Sequence, residues 1–538
     1  MYPLGFVSMI AYLEDRGFRA RIINLAVKML KDPNFNVEKF IEKLEAKAFG
    51  FDLHWLAHAD GSLTIANLMK KYHPNTPIIL GGLSSTYYHK EIIHTFPQID
   101  YILRGDSTEK PLLDLMECLE SNRLPEEVQN LTWRTSEKKN RVNSLTYVPE
   151  NLDELSLDYE IVVKLVLRHR DLESNLPYEN FLDYPFTAVL TCKGCTKNCV
   201  TCGGSSSSFK KFFGRERIAF KSPEKLVEEM SIICQYFKTP IFLLGDLNQA
   251  GQRYAELILE KIKKEGIDNT IMFELFDPVQ EEFVKKISKS CSSFSMEISP
   301  DTHDEHIRNL QGRNYSNDAL EKTIEYALKY GSKKFDVFFM SGLPGQNAQS
   351  VVDSAGYASK LMSKLGKNKN VYTFLAPMAP FLDPGSLAFE NPEKYGFHRL
   401  YRTLSEHRDA LSQPTWKHVL NYYTNWMTKD EIVSSTYDGM MILNKSKIDL
   451  NIIEPKRGKI ITEGLTKTMG LIKKVDEIIA TIENEDERNE QYNLLKSSDQ
   501  IISKSRDFLK KELQVPGGAG IRARGVLKSI IRYLESIF

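Results

Sequence analysis

The chain has 538 residues, with 71 Lys plus Arg against 71 Asp plus Glu, so its formal charge is zero. At 42% apolar and 26% charged residues it has the balance of a globular chain, long enough for two to four domains. Zero net charge gives no reason to expect a nucleic-acid coat or an anionic membrane surface. No run of about eighteen apolar residues marks a membrane span, and Met1-Tyr2-Pro3-Leu4-Gly5 lacks the basic-then-apolar pattern of a secretion signal.

The first 125 residues alternate helix-like and strand-like segments. Residues 3–15 form an amphipathic helix ended by Gly17, and residues 19–25 (RARIINL) read as a strand. A short strand is expected at 51–56, a helix at 62–72, a buried strand at 77–80 running into Gly81-Gly82, and a helix at 89–95. A strand at 99–104 ends at Gly105-Asp106, and a helix follows at 110–121. This alternation implies a parallel, doubly wound, flavodoxin-like sheet. Such a domain opens on a strand, whereas this chain opens on what reads as the first helix, so either the first strand is absent or the true start lies upstream of Met1.

Residues 126–180 are polar and mixed, and read as a connector with some strand and helix. A second α/β series fills 181–400. Its strands are expected at 187–190, 240–244, 271–274, 294–298, 335–339 and 371–375. The helices between them are expected at 223–237, 252–265, 279–289, 303–309, 318–330 and 349–364. Six strands with six crossovers fit a partial (β/α)6 barrel. Over 401–538 strand signals fade. Residues 464–513 are charged, periodic and helical, and Pro516-Gly-Gly-Ala-Gly520 breaks the chain before a last helix at 524–537.

Seven cysteines stand at 118, 192, 195, 199, 202, 234 and 291. Four are crowded together, which reads as a reducing cytoplasm with one metal site and not as a disulfide framework. Cys118, Cys234 and Cys291 lie in helix or strand and read as core. The crowded segment is Cys192-Lys-Gly-Cys195-Thr-Lys-Asn-Cys199-Val-Thr-Cys202-Gly-Gly, directly after the first barrel strand. Thiolates from Cys195, Cys199 and Cys202 can fill three positions of a four-iron, four-sulfur cube and leave one iron open. Gly194, Gly203 and Gly204 suit the sharp turns of such a wrap. The rival is zinc, but a zinc ribbon needs a long loop between its Cys pairs, and only Thr-Lys-Asn separate Cys195 from Cys199. Cys192 is left as a thiol beside the ligands, a reactive group or a small hydrophobe, and not as a fourth ligand.

On this loop and the order of elements after it, residues 185–390 resemble the radical S-adenosylmethionine (SAM) superfamily. The resemblance implies that the open iron chelates SAM and that an external donor such as ferredoxin or flavodoxin supplies the electron. It places Gly245-Asp246, with Asp in place of the family's Glu, near the methionine amino group. Glu297 and Ser299 fall where the family contacts ribose and carboxylate. Arg308 and Arg313 fall where it has a carboxylate-binding or helix-anchoring Arg, and Gly342-Leu-Pro344-Gly345 where a loop packs near adenine. The ordinary readings stay open: Glu297 with Arg308 as a structural ion pair, and Gly342–Gly345 as a plain turn. No catalytic residue is assigned beyond the cluster.

The first 120 residues resemble the cobalamin-binding domain that precedes some radical SAM barrels. The features are Tyr2-Pro3-Leu4-Gly5-Phe6, Gly81-Gly82-Leu-Ser84 and Arg104-Gly105-Asp106. The Gly-Gly turn would let backbone approach the cofactor's nucleotide tail. A ligand-free flavodoxin-like domain is the alternative. The cobalt-ligating Asp-x-His-x-x-Gly pattern has one near match, Asp52-Leu-His54-Trp-Leu-Ala57, which lacks the Gly, so no lower histidine ligand is expected from that motif. His54, Trp55 and His58 at a strand end still have a position from which to face the corrin. The stretch 52–62 with 81–86 resembles an archaeal-type subgroup of these proteins.

The function implied is a cobalamin-dependent radical SAM enzyme that methylates an unactivated carbon. Rearrangement or ring chemistry without methylcobalamin is the second reading, and a non-catalytic iron–sulfur or zinc protein the third. The substrate, a small molecule or peptide, is not legible. Tyr422, Tyr423 and Trp426 are either pocket-lining or core.

Overall fold

The computed structural model describes residues 4–535 apart from 367–368, 379–380, 496–499 and 519. The expectations at residue 3, at 496–499 within the helical stretch and at 536–537 of the last helix lie outside these residues. The first sheet has the order β1-β2-β3-β4-β5. Its strands are β1 (Phe49–Asp52), β2 (Ile78–Gly81), β3 (Tyr101–Leu103), β4 (Leu131–Arg134) and β5 (Asn140–Val142). The first three are parallel, and β4 and β5 are added antiparallel. Residues 126–180 thus contribute two strands to this sheet and the helix Tyr159–His169.

The strand expected at 19–25 is not formed. Residues 18–24 run without helix or strand, and Leu25 already opens the helix Leu25–Lys31, capped by the Asn24 side chain. A strand needs a neighbour to take its N–H and C=O groups, and the strand that would lie between 19–25 and β1 is not among the described residues.

The second sheet is all parallel, in the order β13-β12-β11-β10-β9-β6. Its strands are β6 (Thr187–Leu190), β9 (Ile241–Leu244), β10 (Ile271–Leu275), β11 (Phe294–Asp301), β12 (Phe335–Ser341) and β13 (Val371–Pro377). Between β6 and β9 a two-stranded ribbon pairs β7 (Cys192–Lys193) with β8 (Ala219–Phe220). Parallel strands covered on both faces read as continuous apolar runs, which is why Ile241-Phe-Leu-Leu244 was visible in sequence. Caps explain the helix limits: Ser222 accepts from the Lys225 N–H with Pro223 in the first turn, and Gly266 at φ 63° ends the helix Gln252–Glu265. A further ribbon, β14 (Phe397–Arg399) with β15 (Tyr422–Thr424), interrupts the helical C-terminal part.

The C-terminal part closes the barrel floor. The helix Lys429–Asp449 packs on β13 and the helix Ala348–Leu365. After the helix Gln500–Glu512 the chain crosses beneath the strand starts. Lys334 Nζ donates to the Glu512 carbonyl at 2.7 Å, and Lys238 N–H donates to the Gly520 carbonyl at 2.8 Å. Gly517 abuts Thr270 and Pro240 so closely that a Cβ there would lie 2.4 Å from Thr270 Oγ1. Lys447 donates to Glu512 Oε2 at 2.6 Å, with side-chain exposures of 6% and 2%.

Removing one partner of a buried pair strands the other charge, at a cost of about 3–5 kcal/mol. Glu512→Ala is therefore expected to lower the thermal unfolding midpoint markedly. The double variant Lys447→Met/Glu512→Leu should recover most of the loss. An unchanged midpoint for Glu512→Ala would contradict the floor assignment.

Candidate metal and cofactor site

The cysteine loop leaves β7 at the carboxyl ends of the barrel strands. Cys195 is half-buried, Cys199 buried and Cys202 exposed. Two of the sulfurs already accept backbone N–H bonds, Lys197 N–H to Cys195 Sγ and Gly204 N–H to Cys202 Sγ, each at 3.3 Å. Desolvation pushes all three thiols above the ordinary cysteine range, even though Cys202 retains exposed surface. Among the described residues no three His, Cys, Asp or Glu side chains are gathered as a single-ion site. The thiolates of a cube stand further apart than the ligands of one ion, so three soft thiols on one loop with N–H support suit a polynuclear cluster.

The loop is held from beneath. Val200 N–H donates to the Gln311 carbonyl at 3.0 Å, and Gly312 packs on Asn198 and Cys199. Arg313 donates Nε to Asp301 Oδ2 at 2.8 Å, and its charge acts on Cys199. Gly203 N–H donates to Asp383 Oδ2 at 3.0 Å, and a Cβ at 203 would lie 2.9 Å from Asp383 Cβ. Burial pushes the Asp383 carboxyl up to about 6.

Cys192 is buried, with sulfur-length contacts to Thr191 Oγ1 (3.6 Å), Gln249 Nε2 (3.7 Å) and the Gly194 carbonyl (4.0 Å), and burial pushes its thiol up to about 11. A Cβ at Gly245 would lie 3.1 Å from Cys192 Sγ. Cys192 therefore packs beneath the turn after β9.

The residues singled out at strand ends divide into two groups. Asp246 is buried and spent on its own loop and the next one: it accepts from Asn248 N–H at 2.8 Å and from Phe276 N–H, after β10, at 2.9 Å. Arg308 is fully buried and donates to the carbonyls of Thr302 and Tyr315 and to Asn317 Oδ1, so it anchors its helix and does not pair with Glu297. Gly342 (φ 90°) accommodates the Tyr422 hydroxyl, where a Cβ would come within 2.4 Å; Pro344 is buried and Gly345 abuts Leu310. Tyr422 is thus core. Tyr423 stacks on His398 at 4.4 Å, and Trp426 covers Gly396.

Glu297 lines the lumen side of β11, and Ser299 stands at the register shift between Ile298 and Asp301. Phe339 meets Tyr357 of the surrounding helix Ala348–Leu365, so by alternation Asp336 and Phe338 face inward. Register puts Glu297 beside Asp336 on β12 and beside Glu274 on β10. Burial, with Glu274 and Asp336 close by, pushes the Glu297 carboxyl up to about 8. Glu274 Oε2 accepts from Gly245 N–H at 2.7 Å. Sequence reading missed Glu274. Its signal was a lone acid in the apolar strand Ile271–Leu275.

The strand ends of the first sheet face this loop. Gly82 (φ 116°) lies against the segment after β1, where a Cβ would come 2.5 Å from His54 N. Ser84 Oγ and N–H donate to the His54 carbonyl at 2.9 and 3.2 Å. Thr86 Oγ1 accepts from Gly105 N–H at 3.0 Å. Gly81 has open space where a Cβ would stand. Asp106, next to Gly105, takes Arg215 in a two-pronged pair, Nε to Oδ2 and Nη2 to Oδ1, with side-chain exposures of 1% and 6%. Lys193 of β7 donates to the Asp106 carbonyl at 2.7 Å and Ser107 Oγ at 3.1 Å. The glycine turns, the free space at Gly81 and the facing cysteine ribbon fit a flat cofactor at these strand ends.

Residues 189–358 match the family model described as the Radical SAM superfamily, and residues 1–112 match the B12 binding domain. A curated relative, the uncharacterized methyltransferase PH0819 of Pyrococcus horikoshii, is 23% identical over 364 residues, covering 67% of this chain and 73% of the relative. The anaerobic magnesium-protoporphyrin IX monomethyl ester cyclase of Rubrivivax gelatinosus is 24% identical over 212 residues, covering 38% and 34%. Among solved structures, the fold is similar to the radical S-adenosylmethionine methyltransferase TsrM from Kitasatospora setae with tryptophan and a SAM analogue bound. That match has a TM-score of 0.59 at 14% identity and covers 85% of this chain and 87% of that one. The cobalamin-dependent S-adenosylmethionine radical enzyme OxsB with aqua-cobalamin and S-adenosylmethionine bound gives a TM-score of 0.57 at 12% identity, covering 99% and 81%.

Cys192→Ala is expected to keep the iron and sulfide content of the anaerobically reconstituted protein, whereas Cys199→Ala should lose most of it. Equal losses in the two variants, read by iron and sulfide per chain, would make Cys192 a ligand.

Proposed function

We propose that this chain, a radical SAM enzyme carrying a B12-binding domain, transfers a methyl group to an unactivated carbon of its substrate. The observation that supports this most is the juxtaposition of the two sites: Lys193, two residues from the first cluster cysteine, touches the strand-end loop of the B12-binding domain. A bound cluster, held by Cys195, Cys199 and Cys202, would supply the electron for reductive cleavage of SAM, and bound methylcobalamin would supply the methyl group.

The chain's own residues then have the following assignments. Cys195, Cys199 and Cys202 hold three irons, with the Lys197 and Gly204 N–H groups stabilising the thiolates. Asp301 fixes Arg313, whose cation offsets thiolate charge next to Cys199. Gly245, Glu297, Ser299 and the turn Gly342, Pro344, Gly345 form the SAM surface, while Asp246 and Arg308 act by shaping the loops that carry it. Glu297 is held largely protonated at neutral pH by burial and by its acidic neighbours, so it can donate as well as accept a hydrogen bond. Gly81, Gly82, Ser84 and Gly105 bring backbone to cobalamin.

Residues 1–125 and 181–400 are assigned as the cobalamin and barrel domains, 126–180 as their connector and 401–538 as the closing region. No helix among the described residues is long and apolar enough to cross a membrane. The electron comes from an external donor such as ferredoxin or flavodoxin. Rearrangement or ring formation is the second reading, favoured by the partial match to the cyclase.

The reconstituted, reduced protein is expected to cleave SAM to 5′-deoxyadenosine and, with substrate, to yield a methylated product and S-adenosylhomocysteine. The triple variant Cys195→Ala/Cys199→Ala/Cys202→Ala should fall to background in both. Cleavage by the triple variant at the parent rate would contradict the assignment, and an unmethylated product would favour the second reading.

A further inference from the structure

Three buried or nearly buried arginines surround the cysteine loop, and the structure spends one of them differently. Arg215 and Arg308 each use all three side-chain nitrogens on protein acceptors. Arg313 uses one: its Nε donates to Asp301 Oδ2 at 2.8 Å. Among the described residues neither of its terminal nitrogens has a hydrogen-bond partner, although the side chain is only 17% exposed. Its backbone is fixed close to the loop. Arg313 N–H donates to the Arg308 carbonyl at 3.0 Å, and Gly312 at φ 97° lies against Cys199, where a Cβ would come within 3.4 Å of Cys199 Cα. Asp301, which grips Nε, is buried in the left-handed region at φ 66°, where the register of β11 on β12 shifts. Such a conformation is costly for a residue with a side chain and persists where the surroundings enforce it.

The guanidinium acts on the whole cysteine set. Burial pushes the Cys195 and Cys199 thiols up, and Arg313 opposes this at both. Desolvation works against the guanidinium's own charge, and Asp301, Cys199 and Cys202 more than offset it. Lys197 also acts on Cys199, but it is paired with Asp277 and is 28% exposed, so solvent screens it more. The potential of an iron–sulfur cluster follows its net charge, the hydrogen bonds to its sulfurs and its burial. An added electron increases the negative charge, so a fixed cation with free N–H donors favours the reduced state.

We propose that Arg313 sets the ease of electron uptake: the one-sided grip of Asp301 leaves its two terminal nitrogens to donate to cluster sulfur, and this raises the cluster's reduction potential. The proposal rests on the assignment of a four-iron cluster to Cys195, Cys199 and Cys202. It separates two arginines that the sequence treated alike, with Arg308 as the helix anchor and Arg313 as the charge beside the cluster.

The test uses the full chain, reconstituted anaerobically with iron and sulfide. Iron and sulfide per chain are measured first. Reduced cluster is then quantified by electron paramagnetic resonance across a titration with titanium(III) citrate and viologen mediators, without SAM and then with it. Arg313→Gln is expected to keep its iron. Its ratio of reduced to oxidised cluster at the parent's midpoint should be about tenfold lower, a shift of about 59 mV to lower potential. Asp301→Asn keeps an acceptor for Nε and removes the offsetting charge, so its midpoint should rise. A loosened loop would move both variants the same way. Lys197→Gln should shift the midpoint much less than Arg313→Gln. The proposal would be overturned, with the cluster assignment left standing, by a parent-like midpoint in iron-replete Arg313→Gln, by a shift seen only with SAM, or by an equal shift in Lys197→Gln. If Arg313→Gln loses its iron, Asp301→Asn decides, and an unchanged or lower midpoint there would overturn the proposal. A parent chain that takes up no iron and sulfide would overturn both readings.

Discussion

The arrangement depends on one buried contact, the guanidinium of Arg215 gripping the Asp106 carboxylate from the opposite domain. A two-pronged Arg–carboxylate pair is directional as well as strong, so it fixes orientation and not merely proximity. Arg215 also donates Nη1 to the Pro149 carbonyl at 3.0 Å, so the guanidinium is well satisfied in its buried setting. Gly194 makes the approach possible. It sits at φ 96°, and a Cβ there would lie 2.9 Å from Arg215 Cδ. The glycine that lets the cysteine loop turn is therefore also the one that lets the arginine pass beneath it.

Around this contact the two domains share structure on both flanks. Tyr87 rests on Phe212 and Phe389 and donates to Glu390. Glu91 accepts from the Leu404 and Ser405 N–H groups at the head of a C-terminal helix. Phe381, Leu404 and Val419 complete the apolar core of the B12-binding domain. With the floor closed by the chain after Glu512, the strand-end side of the barrel is the side joined to the cobalamin domain. That is the side where ligands converge in α/β barrels. The cysteine loop and the glycine turns of the B12-binding domain share that side.

Much of this was legible in sequence, for identifiable reasons. The six barrel strands announced themselves because parallel strands buried on both faces are short continuous apolar runs, and the cysteine spacing carries its chemistry locally. The segment 19–25 has the composition of a strand but not the partner, and composition cannot report a missing neighbour. Arg308 was read as a possible ligand contact because an arginine in the helix after a strand looks the same whether its donors face a carboxylate or backbone carbonyls. The Arg215–Asp106 pair spans more than a hundred residues, and neither residue is unusual in its own segment. Glu274 was detectable in principle, as an acid in an otherwise apolar strand.

A cluster and a cobalt bound at these two sites would face each other across the Arg215–Asp106 joint. Pulsed electron paramagnetic resonance of protein holding both the reduced cluster and cobalt(II) cobalamin tests it most directly. A clear dipolar interaction is expected, with faster relaxation of the cobalt signal than in protein loaded with cobalamin alone. Two spectra that simply add, with unchanged relaxation, would contradict it.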